Sequence, residues 1–358
     1  MRIDADHPEA HDAYASLAAL LERHGGWLSP DLVVHQRGSD LWASTDGTAD
    51  ASDRLIWIPR PLLVPISGLS WHDEDELALR DDGGRLSPLQ REILDAMLRL
   101  YRVTGKLAWS RRHLPAVALA AGDPLRVDLS RWCPHFDWPE GVAEAFLRTR
   151  RLPLKHDGQR EPVLFPIGEI LNHHPEGTRL RVEPEHGLRI RRAGPADDAQ
   201  CYARYRSRDA LDLLLGCGYA ALQTRCALSL SLEIELAGLG RLRICRTSHR
   251  PAQDLPHVQY SPGQLSLSHL NFHCDKPGRS LALLRIVIGG LPLPPSRREA
   301  LALEAHEALA AANLDAWRQL RQQALRVIAD GHHLPVHGML VEVAEHQQRL
   351  IGLAAAVA

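Results

Sequence analysis

The chain has 358 residues, 45% of them apolar, with a formal net charge of −2 and six cysteines that show no CxxC spacing. Such a length and apolar fraction fill one large or two ordinary cores, and near-neutrality with no basic stripe of interleaved aromatics along the chain removes the electrostatic case for nucleic acid. Scattered thiols argue against a zinc cage or a disulfide framework and read as small buried hydrophobes. Of the 42 cationic residues only Lys106, Lys155 and Lys276 are lysines. With abundant Ala and Leu, that skew reads as a bacterial-like genome composition.

The N-terminal "MRIDADHPEAHDAY" is acidic and lacks an apolar h-region, so no secretory signal is expected. Residues 54–66, "RLIWIPRPLLVPI", are β-branched and aromatic with Pro59, Pro61 and Pro65 as punctuation, which predicts a short strand leaving into an extended segment. In "LSPLQREILDAMLRLYRVTG" (86–105), Leu86, Leu89, Ile93, Met97 and Leu100 form a helical stripe. Ser87 is its N-cap, Pro88 its first position, Gln90 completes a capping box and Gly105 ends it.

The apolar run of "FPIGEILNHHPEG" (165–177) stops on Asn172, His173 and His174, where Gly, Pro, Asp or Ser would ordinarily turn the chain. "QCYARYRSRDALDLLLGCGYA" (200–220) gives a strand-like segment with two tyrosines, a short helix that Ser207 can cap, and an end at Gly216 and Gly218 before Tyr219. From Leu228 to Leu236 apolar residues alternate with Ser229, Ser231, Glu233 and Glu235; a glycine-containing turn follows, and Leu242 and Ile244 return. This predicts a hairpin with one wet face.

Ser296 and Glu299, in capping-box spacing after a proline cluster, open a long helical run to Gly331. "LALLRIVIGGLPLP" (281–294) is broken by Arg285, Gly289 and Pro292 and is too short to cross a bilayer, so a soluble cytoplasmic chain with no membrane partner is expected. The first half lacks regular βαβ alternation, and no GxGxxG or GxxxxGK[ST] occurs, which speaks against a nucleotide-binding doubly wound sheet.

Taken together, the Pro–apolar–Asn-His segment, the tyrosine strand and the helix ending in Gly-Tyr resemble the C-terminal half of a SET domain. Within that family the resemblance is to the branch of the Rubisco large-subunit methyltransferases and the actin-histidine methyltransferase. "GSDLWAS" (38–44) and "IWIPRPLLVPI" are similar to its G-x-G-L-x-A segment and Ile-Pro-x-x-Leu strand. "RRHLPAVA" is similar to its Leu-Pro after the connecting helices, and "GRSLALLRIVIGGL" (278–291) to its Leu-Arg-Ile/Val segment. The match is gapped over most of residues 25–290, and its most specific part runs from Asn-His to Gly-Tyr.

The resemblance implies an α+β, SET-like fold of short β-sheets with a knot-like crossing, followed by a β-hairpin and C-terminal helices. It implies a catalytic region at 1–225, with a reduced helical insert at about 86–150, and a substrate- or partner-binding region at 226–358. S-adenosyl-L-methionine is the implied cofactor, held by Gly38, Asp40, Leu41, Asn172 and His173. Tyr205 is the implied catalytic hydroxyl. Tyr202 and Tyr219 are assigned to the substrate channel, with Tyr202 on the strand side that Tyr205 faces. The implied activity is N-methylation of a side-chain nitrogen, of lysine or similar, in a protein or peptide substrate.

Two positions depart from the family pattern: Asp40 replaces the second glycine of G-x-G, and Arg206 replaces the glycine after the tyrosine. A side chain resists close backbone approach at either place, and Asp40 sets a carboxylate near a cofactor that carries one. The alternative left open is a SET-like fold without transfer activity, serving as a recognition subunit.

Methyl transfer from a sulfonium is an in-line displacement, so the protein has to align a neutral nucleophile and exclude water; neither a metal nor a protein nucleophile is needed. A lysine near pKa ~10.4 must first lose its proton, which costs about 4.6 kcal/mol at pH 7, whereas a histidine near ~6.5 is mostly neutral. Other polar clusters read as structure. His269, Asn271 and His273 suit a solvated strand face better than a metal site, and His332, His333 and His337 a polar interhelical loop. Cys133 and His135 suit packing and a turn. The Arg-rich segment 179–192 reads as a solvated hairpin, or as a surface that meets an acidic peptide.

Overall fold

A computed structural model describes residues 1–46, 54–73, 78–81, 84–156, 159–183, 186–192, 200–205, 209–247, 256–331 and 333–356. The chain opens with β1 (Arg2–Ala5), α1 (Pro8–Arg23) and β2 (Trp27–Leu28). Strands β3 (Leu32–Arg37), β4 (Asp40–Thr45), β5 (Arg54–Pro59), β6 (Val64–Pro65), β7 (Leu69–Asp73) and β8 (Ala78–Asp81) come next. Helices α2 (Pro88–Val103), α3 (Lys106–His113), α4 (Pro115–Ala118), α5 (Pro124–Trp132) and α6 (Val142–Arg150) follow. Then come β9 (Arg151–His156), β10 (Gln159–Leu164), β11 (Asn172–Arg179), β12 (Arg181–Glu183), β13 (Gly187–Arg191), β14 (Tyr202–Arg204) and α7 (Ala210–Cys217). The C-terminal part holds β15 (Cys226–Leu228), β16 (Leu232–Leu236), β17 (Gly240–Ile244), β18 (Val258–Ser261), β19 (Gln264–Leu267) and β20 (Asn271–His273). Three helices close the chain: α8 (Arg279–Gly289), α9 (Pro295–Ala329) and α10 (Pro335–Ala355). This is the mixed α+β arrangement of small sheets and C-terminal helices that the sequence implies.

The chain divides into two compact units, Met1–Arg111 with Pro139–Arg206, and Arg112–Trp138 with Ser207–Ala358. In the first, β1 pairs parallel with β3, from Arg2↔Val33 to Ala5↔Gln36. Parallel neighbours need a crossover, and α1 supplies it while burying Ala10, Tyr14, Leu17 and Leu21. α1 is absent from the sequence expectations, although Pro8 at its start and the spacing of those residues are helical signals. β4 returns along β3 through a turn at Gly38, where φ is 56°. β5 lies inside the sheet ordered β12-β13-β5-β2, and β10 lies between β6 and β9. α2 is capped as the sequence predicts: the Gln90 N–H donates to Ser87 Oγ at 3.2 Å, and the Ser87 N–H to Gln90 Oε1 at 3.0 Å.

In the second unit the predicted hairpin forms, its strands in register from Leu232↔Ile244 to Leu236↔Gly240. The alternating run is nevertheless not one strand, because β15 pairs with β20 while β16 joins the sheet β16-β17-β19-β18. At the break Ser229 is buried instead of wet, and its hydroxyl accepts from Asn313 Nδ2 at 3.0 Å. α9 begins after Pro294, so Ser296 lies inside its first turn and caps nothing, while Glu299 receives Arg285. His337 belongs to the first turn of α10, where its Nδ1 accepts the Leu334 N–H at 3.1 Å, and is not a loop residue. His269 is 2% exposed and so lies in the core, not on a solvated face.

Ser207 and Arg206 lie outside the described residues; the cap of α7 is Asp209, whose carboxylate accepts the Asp212 N–H at 3.0 Å. Asp209 also anchors Arg246, the one fully buried cation of this core among the described residues. Arg246 donates to Asp209 at 2.6 Å, to Asp212 at 2.9 Å and to the Leu228 carbonyl at 2.9 Å. Removing the guanidinium strands two carboxylates in the interior. Arg246→Met is therefore expected to destabilise this unit by about 3–5 kcal/mol, the usual cost of breaking a buried pair from one side. A denaturant titration showing a loss below about 1 kcal/mol would contradict that assignment.

Candidate functional site

The segment that ends on Asn172 and His173 is aimed by two features of the preceding turn. Ile167 has φ 65°, a left-handed conformation that costs a β-branched residue about 1–3 kcal/mol, and it is wholly buried. Gly168 packs under the Phe165 ring, whose nearest atom lies 1.1 Å from where a Cβ would stand. Burial of the Ile167 side chain holds the strained turn in place, and the chain leaves it directly into β11.

β11 and β14 then pair in an unusual way, since Ala203 has both His173 and Thr178 as register partners. In an extended strand those two residues would lie about 16 Å apart. Two pairings with one residue mean that residues 174–177 leave the ladder, pass against β14 and rejoin it. Asn172 and His173 pair before the irregularity, Thr178 and Arg179 after it. Gly177 marks the pass: a Cβ there would lie 2.9 Å from the Ala203 carbonyl carbon and 3.0 Å from that of Tyr202. This is the place at which the resemblance implies a knot-like crossing.

Side chains tie the crossing together. The Tyr205 N–H donates to His173 Nδ1 at 3.0 Å, which places the proton of the neutral imidazole on Nε2. The Tyr205 hydroxyl donates to the Leu171 carbonyl at 2.5 Å, and its ring tilts against His173 with centroids 5.4 Å apart. Asn172 Nδ2 donates to the Leu41 carbonyl at 3.3 Å and to Gln200 Oε1 at 2.9 Å. Behind it the Cys201 N–H donates to the Ala43 carbonyl at 2.7 Å, fixing β4 beside the crossing.

The structure thus brings Leu41, Asn172, His173 and Tyr205 into one bonded group and adds Leu171 and Gln200, which sequence reasoning missed. Gly38 and Asp40 flank the β3–β4 turn. The Gly38 N–H donates to Asp6 at 2.7 Å and its carbonyl accepts from Gln36 at 2.5 Å, so its peptide groups serve the hairpin. Asp40 is exposed. Tyr202 does not share a side with Tyr205: it lies three residues earlier, and its ring meets His174 at 5.2 Å where Tyr205 meets His173. Tyr219 belongs to the second unit, half-buried just past Gly218, the left-handed C-cap of α7 with φ 77°. No group of three or more His, Cys, Asp or Glu is placed to hold a metal among the described residues, and no described helix is long and apolar enough to cross a membrane.

Below the crossing lies a cluster of charge that the sequence did not disclose. Glu169 precedes Asn172 by three residues, and its Oε2 accepts from the Tyr101 hydroxyl at 3.3 Å. Burial pushes the Glu169 carboxyl up from its ordinary value, against the pull of the Arg150 guanidinium. Burial likewise raises the phenols of Tyr14 and Tyr101. It lowers Lys106 from the ordinary 10.5 to about 8, with Arg150 adding to the shift and Asp40 and Glu169 opposing it.

The chain matches no family model and no curated protein. Among solved structures it is similar to the crystal structure of the SET domain of LSMT bound to lysine and AdoHcy, at 15% identity and a TM-score of 0.47, covering 98% of this chain and 91% of that one. The same domain bound to methyl-lysine and AdoHcy gives 14% identity and a TM-score of 0.43, covering 96% and 91%. Structural matches to SET domains therefore extend over nearly the whole chain, at low identity.

Two measurements check this account. Gly177→Ala forces a methyl group against the backbone of β14, so a stability loss of about 1–3 kcal/mol is expected, with a changed amide shift for Tyr205 in NMR spectra. An unperturbed spectrum with unchanged stability would refute the pass against β14. For Lys106, the depressed folded value means that the unfolded chain takes up the proton first, so the residue costs stability progressively as pH falls from 10.5 to about 8. Lys106→Met should accordingly match the parent above that window and exceed it in thermal stability below, as scanning calorimetry across pH would show.

Proposed function

We propose that this chain is an S-adenosylmethionine-dependent N-methyltransferase acting on a side-chain nitrogen, of lysine or similar, in a protein or peptide. The observation that carries the reading is the crossing itself, which bonds His173 to the Tyr205 main chain and Tyr205 to Leu171 across two segments distant in sequence. The residues present suit such a cofactor. Asn172 Oδ1 and the exposed Asp40 carboxylate offer acceptors for an ammonium, and Lys106, within electrostatic range of Asp40, offers a cation for a carboxylate. When bound, the cofactor supplies the methyl group on its sulfonium.

This chain's own residues then position the acceptor. The Tyr205 proton is committed to the Leu171 carbonyl, so the phenol oxygen presents lone pairs, and it orients an incoming amine by accepting its N–H. A lysine substrate arrives charged and must shed a proton costing about 4.6 kcal/mol at pH 7, which water exclusion at the site favours. His173, held by the Tyr205 N–H, keeps the tyrosine in register and does not act as a base on that nitrogen. The second reading, a fold without transfer activity that recognises a partner, is favoured by one observation: Asp40 occupies the glycine position at the β3–β4 turn.

Calorimetry with S-adenosylmethionine separates them. Micromolar binding that weakens about tenfold in Asn172→Ala, a loss of about 1.4 kcal/mol, supports transfer; no heat at millimolar cofactor supports the recognition subunit. Tyr205→Phe should retain the cofactor and lose incorporation of labelled methyl groups into protein, because the missing hydroxyl acts in the transition state. Undiminished incorporation removes Tyr205 from its role.

A further inference from the structure

The sheet β1-β3-β4 carries a second constellation on one of its faces. Its registers set Asp4 opposite His35 and His35 opposite Trp42, so these side chains form a row across the three strands. Ser44 follows Trp42 by two residues and therefore shares its face, diagonal to His35. The imidazole is fixed from three directions. His35 Nδ1 lies 3.0 Å from Asp4 Oδ2, His35 Nε2 lies 2.7 Å from Ser44 Oγ, and the Trp42 ring stacks on the imidazole with centroids 5.0 Å apart and planes 10° from parallel.

The protons of this group can be assigned. Arg37 Nη2 donates to both Asp4 oxygens, at 2.9 and 2.8 Å, and with His35 it holds the Asp4 carboxyl below its ordinary value. Asp4 is thus an anion that can only accept, which puts the proton of the neutral imidazole on Nδ1. Nε2 is left to accept the Ser44 hydroxyl proton. A hydroxyl bonded to an imidazole that a carboxylate orients is the arrangement by which a serine becomes a nucleophile, whatever the order of the three residues in the chain. Ser44, His35 and Trp42 are all half-buried, so a small molecule can reach the hydroxyl while the imidazole keeps its orientation.

We propose that Ser44 is the nucleophile of a second activity, the hydrolysis of small carboxylic esters, with His35 as its general base and Asp4 as the positioning residue. Ser44 Oγ bonds to the ester carbonyl carbon while its proton passes to His35 Nε2. The bond from that carbon to the alcohol oxygen then breaks, and the leaving oxygen takes the proton. Water repeats both steps on the acyl-serine and releases the carboxylic acid. Trp42, beside the serine, offers an apolar surface for the acyl or aryl part of such an ester. None of these side chains belongs to the bonded group around Asn172, so the activity stands independently of methyl transfer.

The test exposes the full chain to an alkyl fluorophosphonate, which phosphonylates an activated serine with loss of fluoride, and maps the adduct by mass spectrometry. The expected result is an adduct on Ser44, with hydrolysis of p-nitrophenyl acetate falling in parallel. Ser44→Ala removes a single oxygen and should give no adduct. Asp4→Asn keeps the shape of the side chain but admits the wrong imidazole tautomer, so kcat should fall on the order of a hundredfold with KM unchanged, a split that a carboxylate serving only the sheet would not produce. Circular dichroism establishes that each variant is folded. An absent adduct, an adduct on another residue, or undiminished hydrolysis in Ser44→Ala overturns the proposal.

Discussion

The first unit is organised around a single geometric demand: Ala203 must register with two residues of one segment, His173 and Thr178. Everything near it follows. The chain has to leave the ladder between those residues and return to the same partner, and Gly177 lets the two backbones approach there. The turn before it must deliver Asn172 and His173 at a fixed angle, which explains a buried isoleucine held in a left-handed conformation and a glycine sealed under Phe165. Tyr205, at the end of β14, has little choice of position, because its N–H and its hydroxyl are both bonded to the segment beside it.

Charge is buried in both units, with different solutions. Arg246 is surrounded by acceptors, two carboxylates and a carbonyl, and its own pKa is driven further up by them. Such an arrangement adds little net stability over apolar packing, yet it fixes the start of α7 and the end of β15 in one geometry. Under the crossing the balance is less complete. Glu169 and Lys106 are both displaced from their ordinary proton affinities by desolvation, the acid upward and the base downward. Glu169 lies on the turn three residues before Asn172, and Lys106 is within electrostatic range of Glu169 and Asp40.

The features legible in the sequence were those written locally. The stripe and capping box of α2 and the hairpin from Leu232 to Ile244 each occupy one short window, and both appear as read. Where the outcome depended on a distant partner, local signals misled. Ser229 looked like part of a wet face because alternation continues through it, but Asn313 on α9 draws it inside. Ser296 had cap spacing, yet Pro294 and Pro295 start the helix earlier. Tyr202 and Tyr205 differ by an odd number of positions, so a strand separates them. A row of Trp27, Trp57, Arg189 and Arg181 was invisible for the same reason, because these residues are neighbours only across strands.

A parallel pairing of two distant segments also has a history. Residues 172–179 cannot complete their pairing until β14, about 25 residues downstream, has been synthesised and has arrived beside them. Until then the two segments stay apart. Closure of so non-local a contact is slow, and the assembly of this region is accordingly a late event in the life of the nascent polypeptide.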